Sequence, residues 1–184
     1  MTNAIAAAGL SAGTYTIDPT HTHIGFVARH AMVTKVRGSF TEFSGTAVVA
    51  DSLADSSVEV TIKVDSVNTG NEQRDGHLRT NDFFDPETYP EIKFVSTAVQ
   101  ADGENLNVTG DLTIKETTKS VTIPFEFTGA AVDPFGNNRV GFEGSVAVNR
   151  KDWGVNWNAP LEAGGVLVSE KVTLTFDVSA IKAA

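Results

Sequence analysis

Four histidines, His21, His23, His30 and His77, are the side chains of this chain best suited to metal binding or proton transfer near neutral pH. His21 and His23 stand two residues apart. On an extended backbone that spacing puts both rings on one face, where a metal can use them. A zinc site needs three or four ligands, so Asp18, Asp75 or His77 would have to complete it, and no HExxH-type run is present. The stretch "RDGHLRTNDFFDPETYPEIKF", Arg74 to Phe94, offers Asp75 to orient His77 or to pair with Arg79. A catalytic relay needs a nucleophile set against its base, and no serine of the chain carries the strand-to-helix turn signature of a nucleophile elbow. Asp82, Asp85, Glu87 and Glu91 are numerous enough for a glycosidase pair, but Asp85–Pro86 and Tyr89–Pro90 place them in a solvated turn. The expectation from these residues is no catalytic centre, no metal and no cofactor. Within the same stretch, extended backbone would turn one of Phe83 and Phe84 inward and the other outward.

Composition narrows the classes further. The 184 residues carry a net charge of −9, with 41% apolar and 20% charged residues, which describes a folded, soluble chain of one domain. Such a surface repels phosphate backbones, so nucleic acid is not an expected partner, and anionic membranes are disfavoured for the same reason. There is no cysteine, hence no disulfide and no thiolate. The opening "MTNAIAAAGLSAG" lacks a basic n-region and an apolar h-region. It predicts a loose Ala/Gly-rich arm over residues 1–13, a single domain over residues 14–180 and a cytoplasmic location.

The elements that must position any site follow a period of two from Tyr15 onward. In "THTHIGFVARH", Ile24, Phe26, Ala28 and His30 share one face and His21, His23, Val27 and Arg29 the other. "VRGSFTEFSGTAVV" reads as strand with a bend. Val58, Val60, Ile62 and Val64 alternate cleanly, as do Leu106, Val108, Leu112 and Ile114, and then Val121, Ile123, Phe125 and Phe127. Pro124 is compatible with that last strand only where its missing N–H has no ladder to join. Val140, Phe142, Val146 and Val148 follow the turn "DPFGNN", and Val166 to Val178 read as one final strand. The polar stretch 71–80 is the exception, a short helix with Asn71 as its cap. "NRKDWGVNWN" holds both tryptophans, and Trp153 after a charged turn suits the end of a barrel.

About eight strands with one apolar face each must either stack as two sheets or close on themselves. The Thr, Glu, Lys and Asp on the outer faces exclude a transmembrane barrel. A closed barrel of this size is filled by side chains or holds one ligand, and 11 Phe against two Trp and two Tyr make the lining apolar.

"YTIDPTHTHIGFVARH", "VRGSFTEFSG", "RDGHLRTNDFFDPETYPEIKF", "VTGDLTI", "DPFGNNRVGFEGSVAVNRKDWGV" and "VSEKVTLTFDV" together resemble the YceI-like family, in order and spacing, from about Tyr15 to Val178. The resemblance implies an all-β fold, a lipocalin-like closed antiparallel β-barrel with a short helix between strands, whose elongated interior holds a polyisoprenoid chain. It implies a carrier of isoprenoid quinones or related lipids rather than an enzyme. Positions matching the family's pattern are His21, Thr22, His30, Arg74, Asp75, His77, Leu78, Phe83, Phe84, Arg150 and Trp153. Many relatives are exported behind a signal peptide, which this opening does not resemble. Glu116 and Thr117 stand where a glycine turn is common.

On that reading the ligand-binding residues are Ile24, Phe26, Ala28, His30, Phe40, Val60, Ile62, His77, Phe84, Phe94, Leu112, Ile114, Phe125, Phe142, Val148 and Phe176, with His30 or His77 meeting a polar head group. Two other readings stay open at this point. One is a solid-core structural or interaction module, for which a homodimer is the natural assembly. The other is a metal-assisted hydrolase using His21, His23 and His77.

Overall fold

The computed structural model describes residue 6 and residues 9–184. Its strands are β1 (Gly13–Ile17), β2 (His23–His30), β3 (Thr34–Phe40), β4 (Phe43–Val49), β5 (Ser57–Lys63), β6 (Val67–Asn68), β7 (Glu91–Asp102), β8 (Asn105–Ile114), β9 (Thr117–Val132), β10 (Asn138–Asn149) and β11 (Lys171–Lys182). A short helix, α1 (Glu72–Leu78), lies between β6 and β7. Every pairing is antiparallel. Eight strands form a closed ring in the order β1-β4-β5-β7-β8-β9-β10-β11, and β11 returns to β1. The ring is the expected closed barrel. Strands β2, β3 and β6 extend from β11 as a flap.

The closure depends on a kink. The C-terminal half of β11 pairs with β1 (Ile17↔Ala180) and its N-terminal half with β2 (Phe176↔Ile24). Between them, Thr22 Oγ1 accepts from Ser179 N at 3.0 Å and donates to Ser179 O at 3.1 Å, doing for the ladder what a paired backbone would do. His21 therefore sits in a bend rather than on the face of β2, and the expected alignment of His21 with His23 is lost. Pro124 sits just beyond Gly144↔Phe125, the pair at which the β9–β10 ladder stops, so its missing N–H breaks nothing there. The final strand begins at Lys171, not near Val166. Residues 165–169 instead brace β2 through Ala31 N to Leu167 O at 2.7 Å and Ser169 N to Arg29 O at 3.0 Å.

The turns divide between two rims. The β4–β5, β7–β8 and β9–β10 connections form the upper rim, and the β2–β3, β8–β9 and β10–β11 connections the lower one. Inward side chains gather in two clusters. The lower contains Ile24, Phe40, Ile62, Ile92, Leu112 and Trp153. The upper contains Leu10, Tyr15, Val99, Leu106, Phe127 and Val140. Much of the arm expected over residues 1–13 lies outside the described residues. Of the part described, Leu10 is buried in the upper cluster, and the Tyr15 hydroxyl donates to Ser11 O at 2.8 Å.

The kink is also held electrostatically. Arg139 donates from Nη1 to Asp18 Oδ2 and from Nε to Asp133 Oδ2, both at 2.7 Å. Asp18 further contacts His21 Nδ1 at 2.8 Å and accepts from Thr20 Oγ1 at 2.7 Å. The Arg139 guanidinium, first of several donors, holds both carboxyls well below the usual carboxylate range. Groups lowered in the folded state stabilise it fully above their unfolded values, near pH 4, and that stabilisation is lost as pH falls toward the folded ones. Arg139→Gln is therefore expected to move the acid-unfolding midpoint to higher pH, read by circular dichroism, with little change in shape of the transition above pH about 6.

Candidate functional site

The two clusters do not fill the barrel. Between and within them runs one elongated cavity of about 280 Å³ with an almost wholly apolar wall. It reaches Leu53, Ser56 and Ser57 near the upper rim and Arg150, Trp153, Val155 and Val168 near the lower. Phe94 and Phe125 pack against both clusters and mark its waist. Both rings lie flat on the wall because the neighbouring strands present Gly110 and Gly144, where any Cβ would collide with them. Flattened rings leave the axis clear. The physical sign of this is that Phe26, Val60, Phe94, Phe125, Phe142 and Phe176 point inward yet are only half-buried. An apolar cavity of roughly 150 Å³ already stays dry and accepts an apolar guest.

The apolar positions expected from the sequence, from Ile24 and Phe26 on β2 to Phe176 on β11, all lie in this wall. His30 and His77 do not. His30 is exposed at the end of β2, past the point where the hairpin leaves the barrel, and bridges to Val168. His77 faces outward from α1. Its Nε2 is 2.8 Å from Asp82 Oδ2, and its ring packs edge-on to Trp157 and Phe83, with centroids 4.6 and 5.1 Å apart. Neither histidine lines the cavity.

The stretch from Arg74 to Phe94 is a strap over the flap side of the barrel. Asn71 caps α1 by accepting from Arg74 N at 2.9 Å. Asp75 is buried and accepts from Thr69 N and Oγ1, so it neither orients His77 nor pairs with Arg79. Arg79 instead donates to Asp65 O and Val67 O, tying the helix to β6. Phe83 and Phe84 sit in successive turns rather than on extended backbone, and both reach the cavity, as does Leu78. Phe84 packs on Phe40, and Phe83 on His77 and Trp157.

Arg150 is the polar feature that sequence reasoning left without a role. The residue is 7% exposed, and its guanidinium has no carboxylate within 4 Å among the described residues and donates to Val155 O, Ser169 O and Val168 O at 2.6, 2.9 and 3.3 Å. Burial pushes its pKa down, partly opposed by the charge of Glu170. It clamps the β10–β11 connection under the lower rim. Trp153 beside it is 3% exposed and donates from Nε1 to Leu112 O at 2.9 Å, closing the floor. A lone arginine at the end of an apolar stripe was the available signal. Leu10 had none beyond being a large aliphatic residue in an Ala/Gly-rich run.

Among the described residues no three His, Asp or Glu side chains gather as a metal site, and His21 is bound to Asp18 instead. No helix among them is long and apolar enough to cross a membrane.

Comparison with known proteins fits this geometry. A UPF0312 protein of Photorhabdus laumondii is 40% identical over 158 residues, covering 84% of this chain and 81% of its own. The crystal structure of Burkholderia cenocepacia BcnA superposes with a TM-score of 0.77 at 27% identity, covering 89% of this chain and 98% of that one. A Saccharophagus degradans structure, described as a polyisoprenoid binding domain implicated in plant cell wall breakdown, has the same fold, with a TM-score of 0.71 at 16% identity over 94% of this chain and all (100%) of that one. With residues 15–180 matched by the model of the YceI-like domain, the chain belongs to the YceI-like family.

Proposed function

We propose that this protein holds one long, slender, apolar lipid of the isoprenoid type in the barrel, as a carrier or a sequestering protein. The observation that carries the reading is the continuous apolar cavity, with half-buried phenylalanines lying against its wall. The polyisoprenoid binding domain of Saccharophagus degradans, which has the same fold, supports the choice of ligand class. The driving term is burial of hydrocarbon, about 0.8 kcal/mol per CH₂ before ordering costs, so affinity should climb with each added prenyl unit until the cavity is full. A sugar or nucleotide would lose its water in such a lumen without gaining hydrogen bonds. No chemical step is required.

The test is organic extraction of the purified protein followed by mass spectrometry, with a titration series of prenyl alcohols of increasing length. The expected result is a co-purified isoprenoid and an affinity that rises and then levels with chain length. A lipid-free protein that binds none of the series contradicts the reading.

A further inference from the structure

The β2–β3 hairpin has features that neither the fold nor the cavity requires. Its turn, residues 31–33, projects Met32 and Val33 into solvent, 63% and 73% exposed. Ala31 and Met32 take positive φ, 51° and 64°, where hairpins ordinarily use Asn or Gly. The turn thus bears a backbone strain and an exposed apolar surface together. Behind the tip the stretch from Arg29 to Arg37 contains Arg29, Lys35 and Arg37 and no acid, in a chain of net charge −9. Arg29 is paired directly opposite Lys35, and Arg37 lies on the same face. Like charges so placed repel. All three are exposed, and among the described residues none has a carboxylate within 4 Å.

The position of the hairpin matters as much as its composition. Ala28, just behind the cations, lines the cavity, and His30 bridges to Val168, which lines it too. Met32 touches the adjoining connection at Gly165. That connection carries Asp152, Glu162 and Glu170, the last paired with Lys151 at 3.0 Å, and Glu116 stands in the β8–β9 turn of the same rim. The upper rim is different: Asp51, Asp55, Asp102, Glu104 and Asp133 occupy its turns. The most exposed large apolar side chain among the described residues, Phe135 at 87%, stands among those acids.

From exposure, strain and charge together, we infer that the β2–β3 hairpin docks the protein on an anionic lipid surface, with Met32 and Val33 entering the acyl boundary and Arg29, Lys35 and Arg37 meeting the head groups. An apolar tip collared by cations is the pattern of an interfacial anchor. Cations near an anionic surface contribute roughly fivefold each to binding. The acidic upper rim is repelled by the same surface, which orients the lower end of the cavity toward the bilayer. The overall negative charge, which argues against membranes at the level of composition, acts here to set the direction of approach. The inference goes beyond the lipid-binding proposal and stands on different residues.

Co-sedimentation of the full chain with vesicles tests it, using phosphatidylcholine alone and phosphatidylcholine with roughly 30% phosphatidylglycerol. Binding is expected to the anionic vesicles and to be lost at about 0.5 M salt. Val33→Asp should weaken it about tenfold and Lys35→Glu at least about fivefold, while Phe135→Asp leaves it unchanged. No binding to anionic vesicles, or binding lost only with Phe135→Asp, overturns the inference. So does a Val33→Asp variant that binds vesicles normally but changes its oligomeric state, which would assign the tip to a second copy. Loading of a prenyl alcohol from ethanol solution is measured in parallel and should be unaffected by Val33→Asp. If the wild-type protein fails to load but binds vesicles, the cavity reading fails and the docking one stands.

Discussion

Val60→Trp should lower the affinity for a prenyl lipid by at least about tenfold, more than 1.4 kcal/mol, while leaving the thermal midpoint within a few degrees of the wild type. Val60 pairs with Phe94 across β5 and β7 and faces the waist of the cavity, half-buried. In a filled core an added indole forces its neighbours off their rotamers, at a cost of about 1–3 kcal/mol. In this barrel the indole enters space that is already vacant. It buries its own apolar surface and offsets what the backbone must concede. The ligand then finds the waist blocked. Calorimetric melting and titration with a fluorescent prenyl analogue separate the two effects. A variant that melts far lower, with affinity unchanged, would mean that side chains already meet across the axis.

Trp153→Ala has the largest expected effect on stability, a loss of roughly 3–5 kcal/mol, which lowers the midpoint by roughly 10 °C or more for a chain of this size. The indole is almost wholly buried among Leu112, Val121 and Ile123, and its N–H satisfies Leu112 O. Removing it opens the floor of the barrel and loses the hydrogen bond to Leu112 O. Trp153→Phe retains most of the packing and loses the hydrogen bond, so about 1–3 kcal/mol is expected for it. Chemical denaturation of the three proteins gives the comparison. Equal stability of the Ala and Phe variants would show that the hydrogen bond, rather than the packing, closes the floor.

The barrel wall was legible because each strand is apolar on one side and polar on the other. From β5 to β11 the alternation alone names the residues that face inward. Closure was not legible by the same means. It rests on Thr22 replacing backbone at Ser179 and on Asp18 held by Arg139, contacts between residues more than a hundred positions apart that leave no periodic trace. The histidines misled for a related reason. Spacing put His21 beside His23 and His30 behind Ala28, but the bend at residues 18–22 removes the first, and β2 runs past the barrel before it reaches His30. The extended backbone expected at Phe83 and Phe84 is not present: hydrogen bonds from Phe83 N to Thr80 O and Phe84 N to Leu78 O wind the chain into turns. Hollowness itself was beyond periodicity, which shows the side a ring faces but not whether it lies flat. That depended on glycines such as Gly110 and Gly144 opposite the rings.

The claim on which the account rests is that the lipid lies inside the barrel. The absence of native cysteine allows single thiols to be placed on either side of one strand. Val148 on β10 lines the cavity, and its neighbour Ala147 is exposed on the outer face. Modification rates of Val148→Cys and Ala147→Cys by a small maleimide, with and without a bound prenyl lipid, are the direct measurement. The account predicts that lipid slows the Val148→Cys reaction by about tenfold or more and leaves Ala147→Cys unchanged. Protection of Ala147→Cys instead, or of neither thiol while lipid is demonstrably bound, would place the ligand outside the barrel and contradict it.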